Sequence, residues 1–95
     1  MRIRLEAQAR RDLDSIARQG EDRWGTDATR RYVGDLLGLA RRLADMPGIG
    51  RRRDEIRAGL RSIPQGTHLI LYRIDDDAIT ILAIPHQAAD PDGYL

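Results

Sequence analysis

The spacing of apolar residues changes twice along this chain of 95 residues. Ile3 and Leu5 alternate with polar residues, which predicts a short half-buried strand. Helical spacing follows and predicts an amphipathic helix that runs to about Gly20. Its apolar positions are Ala9, Leu13, Ile16 and Ala17.

A second helix is predicted up to Met46, because Pro47 disfavours helical backbone in the residue before it. Its apolar positions are Ala28, Tyr32, Leu36, Leu39, Ala40, Leu43 and Ala44. Between the helices, Gly25 permits an unusual backbone angle, and Thr26 is predicted to cap the second helix with Asp27 in its first turn. So short a corner predicts an antiparallel helix hairpin.

Beyond the helices the apolar period becomes two. Residues 47–54 are predicted to form a loop rich in turn formers and arginine, and residues 55–61 a strand with a wet, basic face. The alternating apolar residues of that strand are Ile56, Ala58 and Leu60. A Pro-Gly turn at 64–66 then leads into a second strand, which ends in Tyr-Arg-Ile at 72–74.

The second strand carries bulk on both faces, so we predict that it is central in the sheet. Asp75-Asp76-Asp77 forms a turn into a third strand, residues 78–84, which delivers His86 to the end of the sheet. The prediction is a single α+β domain over residues 1–95, with an N-terminal strand, an antiparallel two-helix hairpin and a three-stranded antiparallel meander. A short tail, Gln87 to Leu95, follows.

Composition limits the chemistry. A chain with no Phe, one Trp and three Tyr must build its core from Leu, Ile, Val and Ala. Absence of cysteine excludes disulfides and thiolate metal sites, and two separated histidines do not make a zinc cage, so we expect no metal and no cofactor. No apolar run approaches the length of a membrane span, and we expect a soluble, cytoplasmic protein.

The charged residues are unusual in type. All 16 basic residues are Arg and none is Lys, and 15 carboxylates leave a net charge of +1, which argues against a general nucleic-acid coat. A genome that favours arginine codons would also explain the missing lysines. Arginine on a small sheet still favours an acidic target, because its planar fork grips carboxylates or phosphates bidentately.

These segments taken in order resemble one known family. They are Ala9-x-x-Asp12-Leu13-x-x-Ile16, Arg23-Trp24-Gly25, Tyr32-x-x-x-Leu36, Pro47-Gly48-x-Gly50, Arg53-Asp54-Glu55-Ile56-Arg57-x-Gly59-Leu60-Arg61-Ser62, Gly66-Thr67-His68-Leu69-Ile70-Leu71-Tyr72-Arg73, and His86-Gln87 followed by Asp90. The chain thereby resembles, over nearly its full length, the ParE toxins of the RelE/ParE superfamily of bacterial type II toxin-antitoxin systems.

The resemblance implies an antiparallel sheet packed on a helix hairpin, and a toxin that inhibits DNA gyrase by binding, without catalysis of its own. It also implies neutralisation by a ParD-like antitoxin, whose segment for binding should be acidic and partly disordered before it folds on the toxin. Contact with nucleic acid would be indirect, through that antitoxin. RelE-like relatives are ribosome-dependent mRNA endonucleases on the same fold, so the fold alone leaves both activities open.

Candidate residues follow from this resemblance and from their places on the predicted strands and helices. The expected target-binding residues are Arg57, Arg61, Arg73 and His86, and the set for the alternative ribonuclease is Glu55, Arg61, Arg73 and His86. The apolar stripe of the helix hairpin is expected to bind the antitoxin, through Leu13, Ile16, Leu36 and Leu39. A second copy of the chain could use the same stripe, so a homodimer stays open.

Each candidate also has a purely structural interpretation. His86 can be a strand-end residue bonded to backbone, and Arg61 and Arg73 can pair with Glu55 or with the aspartate turn at 75–77. Tyr72 is expected to pack in the sheet. Trp24 is expected to anchor the two helices, and His68 to be exposed or paired locally.

Two positions depart from the family pattern. Gln19 stands where relatives often have Tyr, which loosens the end of the first helix, and Gln87 begins a tail that lacks the Met common before Asp90 in relatives. A weakened toxin is therefore an alternative. A separate alternative is an inert relative that acts only through its antitoxin complex at an operator, because the chain has no recognition-helix signature of its own and the antitoxin would bring the DNA-binding element.

Overall fold

Two helices cover one face of a five-stranded mixed sheet. The computed structural model describes residues 1–90 and residue 93. The elements in chain order are strand β1 (Arg2–Leu5), helices α1 (Ala7–Trp24) and α2 (Thr26–Asp45), a 3-10 turn (Pro47–Ile49), and strands β2 (Arg51–Arg52), β3 (Arg61–Gln65), β4 (His68–Ile74) and β5 (Ala78–Ala83). The α+β class, the helix pair and the meander β3-β4-β5 are confirmed.

The strand order is β1-β5-β4-β3-β2. Strand β1 pairs with β5 in parallel, and the other neighbours are antiparallel, so the sheet is mixed and the expectation of a purely antiparallel sheet is wrong. A parallel pair requires a crossover, and the helix hairpin between β1 and the other strands provides it. Strand β4 is the middle strand, as its apolar pattern predicts.

Helix α1 continues past Gly20 to Trp24, beyond the predicted end. Gly20 is buried against α2, where a Cβ atom would lie 2.7 Å from Thr29 Oγ1. Thr29 is held in place because its hydroxyl donates to the Gly25 carbonyl at 2.7 Å. The close approach of the two helices therefore accounts for a glycine that would otherwise weaken the end of α1.

The corner between the helices is Gly25 alone, with φ of 85°. Thr26 is the first residue of α2 and Gly25 takes the cap position, with no side-chain cap bond, so the prediction of Thr26 as cap is wrong. A one-residue corner leaves Thr26 no room for the extended backbone that a cap requires. Asp27 does lie in the first turn, as predicted.

The main core lies between the helices and one face of the sheet. Strand β4 contributes Ile70 and Tyr72 to it, and β5 contributes Ile79 and Ile81, all fully buried or nearly so. A second apolar cluster covers the opposite face: Leu60, Leu71, Leu82 and Ala83, with Ile56 and Leu69 at its edge. Burial on both faces explains the doubly apolar sequence of β4.

The predicted strand over residues 55–61 is wrong except at Arg61. The backbone turns instead: Arg53 O accepts from the amides of Ile56 and Arg57, at 3.0 and 3.2 Å. Asp54 Oδ1 then accepts from Gly59 N at 2.9 Å, and Gly59 has φ of 81°. The carboxylate and the glycine close a turn that the alternating pattern did not reveal.

The arginine-rich segment 47–54 is also more ordered than the predicted loop. Its first residues form the 3-10 turn, and Arg51–Arg52 pair with Ser62 and Arg61 as edge strand β2. Two residues are too few to give a periodic signal. Neither helix in the described part of the chain has the apolar length that a bilayer crossing requires.

The contact between Gly20 and Thr29 gives a test of the helix packing. Gly20→Ala should lower the free energy of unfolding by about 1–3 kcal/mol, because the added methyl group overlaps a side chain that is already hydrogen-bonded. The matched control is Gly34→Ala in α2, where a Cβ meets nothing within 4 Å. Gly34→Ala should raise the free energy of unfolding by about 0.5–1 kcal/mol. Urea unfolding measures both changes, and a more stable Gly20→Ala variant or a less stable Gly34→Ala variant would contradict the packing.

Candidate functional site

All three predicted target-binding arginines lie at one end of the sheet, which we call the arginine end: Arg57, Arg61 and Arg73. Arg61 begins β3 directly opposite Tyr72, near the end of β4, and Arg73 is the next residue of β4. Arg57 lies in the turn before β3, where its carbonyl accepts from the amide of Leu60 at 3.0 Å. This end therefore collects cationic side chains from one turn and two strands.

Arg61 is bonded to backbone. Its Nη1 donates to the carbonyl of Gly50 at 2.9 Å and to that of Gly48 at 3.2 Å. Tyr72, on the same face, accepts from Gly50 N at 2.9 Å and donates to Pro47 O at 2.7 Å. Burial raises the pKa of Tyr72, which keeps this hydroxyl a donor. Arg61 and Tyr72 thus hold the 47–50 turn together, and the expected pairing of Arg61 with Glu55 is absent: Glu55 pairs with Arg53 at 2.9 Å.

Arg73 lies on the opposite face of the sheet, beside Thr80. Its Nε contacts Asp75 at 3.1 Å and its Nη2 contacts Glu6 at 3.6 Å. The hydrogen bond from Thr80 and the bond from Arg73 lower the pKa of Asp75. The predicted pairing of Arg73 with the aspartate turn is confirmed, yet its side chain stays 43% exposed and so accessible to a partner.

His86 lies at the other end of the sheet, where it bridges to His68. His68 begins β4, and Arg73 is five residues further on, about 16 Å away at the usual rise of a strand. The predicted convergence of Glu55, Arg61, Arg73 and His86 is therefore wrong. General acid-base catalysis requires groups within hydrogen-bond reach of one substrate, and this set is not assembled.

His86 instead belongs to a row of four aromatic rings. Centroid distances along the row are 6.0 Å from Trp24 to Tyr32, 5.5 Å from Tyr32 to His68 and 5.6 Å from His68 to His86. Beside the row and against α1 lies a cleft of about 110 Å³, which we call the two-histidine cleft. Its main lining residues are Ile16, Gln19, Arg23, Trp24, His68 and His86.

Tyr32 orients His68. The Tyr32 hydroxyl lies 2.7 Å from His68 Nδ1 and 2.9 Å from Gln65 O, and it accepts from Thr67 N at 3.2 Å. Burial lowers the pKa of His68, and the neighbouring His86 lowers it further, although Asp12 acts in the opposite sense. His68 is therefore neutral at physiological pH.

His86 is bonded to backbone, as one of the two interpretations predicts. Its Nδ1 accepts from Ala88 N at 3.1 Å. A neutral imidazole with Nδ1 as acceptor carries its proton on Nε2. With Nδ1 occupied by Ala88 N, the Nε2 atom of His86 is the ring nitrogen left for another partner.

The predicted antitoxin contacts lie in the core. Ile16, Leu36 and Leu39 are buried against the sheet, and Leu13 packs against the same core. The expectation that this stripe binds a partner is corrected. Each helix has one apolar face, and that face is already used to cover the sheet. The large apolar side chains that the helices do expose are Trp24 and Leu37.

The sequence does not reveal the parts that Trp24, Tyr32 and His68 play in the row of rings. Trp24 is predicted to be a core anchor but is 52% exposed, and Tyr32 is predicted only as an apolar helix residue. The pairing of His68 with His86 depends on the register of β4 and β5, to which a single sequence gives no access. Among residues 1–90 and 93, no group of three or more His, Cys, Asp or Glu is placed to hold a metal ion.

Comparisons with known proteins agree with this fold. The family described as "ParE toxin of type II toxin-antitoxin system, parDE" matches residues 3–91. A Toxin ParE1 of Mycobacterium tuberculosis is 36% identical over 99% of this chain and 97% of its own length. A Toxin ParE1 of Caulobacter vibrioides is 32% identical over 97% of this chain and 95% of its own length.

Two solved structures are similar. One, described as a chromosomal ParDE TA system from P. aeruginosa, gives a TM-score of 0.77 at 22% identity, over 90% of this chain and 95% of that one, which shows the fold alone. The other, a toxin-antitoxin complex RelBE2 from Mycobacterium tuberculosis, gives a TM-score of 0.66 at 29% identity. It covers 90% of this chain and 96% of that one.

Arg61 can be tested as a structural residue. Arg61→Ala should lower the free energy of unfolding by about 1–3 kcal/mol, because two carbonyls of the 47–50 turn lose a charged donor. Arg41→Ala on the exposed side of α2 is the matched control and should change it by less than about 0.5 kcal/mol. Equal urea midpoints for the two variants would contradict the structural role.

The lowered pKa of His68 predicts a pH dependence. The unfolded chain takes up a proton near the ordinary value of 6.5, before the folded chain does, so acidification favours unfolding. Stability should be fully present above about pH 7 and should fall as the pH drops below about 6.5. His68→Gln should lose less stability than wild type between pH 7.5 and 5.5 in urea unfolding, and an equal loss would refute the assignment.

Proposed function

We propose that this chain, which belongs to the ParE family of toxins from type II toxin-antitoxin systems, inhibits DNA gyrase by binding it. The observation that carries the proposal is the family match over residues 3–91, because it extends over nearly the whole chain. The choice of gyrase follows from the resemblance to ParE toxins. The chain acts as an inhibitor rather than an enzyme, since its arginines and His86 are too far apart to share one substrate group.

A protein antitoxin is the second part of the proposal. Both similar structures are described as toxin-antitoxin systems or complexes, which supports a partner of this kind for the present chain. We expect a ParD-like antitoxin with an acidic segment. A chain with 16 arginines and a basic edge strand is complementary to such a segment.

The arginine end is the proposed contact with gyrase. Arg57 is exposed in its turn, Arg73 is half-exposed on β4, and the adjoining strand β2 exposes Arg51 and Arg52. Arg61 is bonded to the 47–50 turn, so we assign it a structural role beside the contact surface and not a contact with gyrase. Rim arginines of this type steer association and fix orientation on an acidic partner.

A RelE-like ribonuclease is the second candidate function. The similarity to the RelBE2 complex, at 29% identity, favours keeping it. The distance between the arginine end and His86 weighs against it, as does the bond from Ala88 N that occupies Nδ1 of His86. This candidate requires cleavage of mRNA on ribosomes and predicts that His86→Gln abolishes it.

A supercoiling assay with purified gyrase, relaxed plasmid and ATP tests the proposal. Wild-type toxin should block supercoiling and leave an in vitro translation reaction intact. Arg57→Ala combined with Arg73→Ala should raise the inhibitory concentration about tenfold, equivalent to about 1.4 kcal/mol of binding free energy, because two cationic contacts are lost.

The control is Arg18→Ala combined with Arg41→Ala, which removes the same charge from exposed helix positions. A folded Arg57/Arg73 variant with full potency would remove these residues as the contact. Arrested translation with intact supercoiling would transfer the function to the ribonuclease branch.

A further inference from the structure

The two-histidine cleft has an unused set of hydrogen-bond donors. His86 presents Nε2–H, since its Nδ1 accepts from Ala88 N. Within residues 1–90 and 93, Arg23 forms no ion pair and the Gln19 side chain forms no hydrogen bond. All three line the same cleft, so a guanidinium, an amide and an imidazole N–H border one small space.

The cleft is only weakly cationic and partly apolar. Burial lowers the pKa of His68, and Arg23 is the one arginine of the lining. Ile16 and the half-exposed ring of Trp24 supply apolar walls.

A neighbouring cavity limits how much negative charge the cleft can take. This second space, of about 270 Å³, shares Ile16, Gln19, His68 and His86 with the first and is also lined by Asp12. Asp12 is buried, and its Oδ2 accepts from Ile84 N at 2.8 Å. One arginine in the cleft, with a buried aspartate in the adjoining cavity, suits a monoanion and disfavours a phosphate dianion or a nucleic-acid backbone.

We propose that the two-histidine cleft binds a single carboxylate side chain of an acidic peptide, with Arg23 and His86 as donors and Trp24 against the aliphatic stem. The inference rests on the proposed function in one respect, namely that the peptide belongs to the antitoxin. It names a point of attachment on the toxin at the opposite end of β4 from the arginine end. Charge complementarity selects the carboxylate.

Trp24 reports on the cleft directly, because it is the only tryptophan of the chain. We would titrate the full chain with the peptide acetyl-Leu-Glu-Leu-amide and follow Trp24 emission. The matched peptide acetyl-Leu-Gln-Leu-amide has the same shape without the charge. The glutamate peptide should bind at least about tenfold more tightly, and equal binding of the two would overturn the proposal.

Variants localise the effect. Arg23→Gln should weaken binding of the glutamate peptide about tenfold, and His86→Phe should weaken it about threefold or more by removing one donor. Arg18→Gln, at an exposed position of α1 that does not line the cleft, should leave binding within about twofold. Equal weakening by Arg18→Gln and Arg23→Gln would mean that peptide binding depends only on the overall charge of the protein, and it would overturn the site. Tighter binding of adenosine monophosphate than of the peptide would assign the cleft to a nucleotide instead.

The outcome is separable from that of the gyrase assay. Arg23→Gln lies outside the arginine end and should inhibit supercoiling as wild type does. If wild type fails to inhibit gyrase but discriminates the two peptides, the carboxylate site stands and the gyrase proposal falls. If wild type inhibits gyrase but binds the two peptides equally, the gyrase proposal stands and the carboxylate site falls.

Discussion

The hydroxyl of Tyr72 is the contact on which the arrangement of the sheet depends most. Tyr72 is fully buried in the central strand, and a phenol buried without a partner would cost a large part of the stability of a domain this size. Its partners are Pro47 O and Gly50 N, so the turn after α2 must pass directly over the ring. Gly50 is required there because a Cβ atom would overlap Tyr72. The position of β2, and of Arg61 beside it, follows from this contact.

Tyr32 repeats the arrangement at the other end of the sheet. Its hydroxyl bonds to the backbone of the β3-β4 turn, on either side of Gly66, where φ is +57° and an added Cβ would overlap the tyrosine ring. A chain without phenylalanine has to use tyrosine for bulk, and each tyrosine brings a polar tip that needs a partner. The two phenols thereby tie both ends of the sheet to the rest of the chain. Tyr32 also contacts His68, which lines the two-histidine cleft.

The geometry separates two proposed contacts. The arginine end and the two-histidine cleft lie at opposite ends of β4, so no single small substrate spans them. An inhibitor that acts by binding tolerates this separation, whereas a catalyst does not. An antitoxin attached at the cleft would have to extend along the sheet to cover the arginine end. A segment that is extended or disordered before binding suits that distance.

The local patterns of the sequence determined the α+β class, both helices, the central place of β4 and the aspartate turn, because periodicity and turn residues act over a few neighbouring positions. They were misleading at residues 55–59, where alternation was overridden by the bond between Asp54 and Gly59, and at Gly20, where a helix-weakening residue is a packing contact. Only the tertiary structure decided that Arg61 serves the backbone, that Ile16, Leu36 and Leu39 are core, and that His68 meets His86. Such pairings depend on strand register and on contacts between residues far apart in sequence, and no local pattern encodes them.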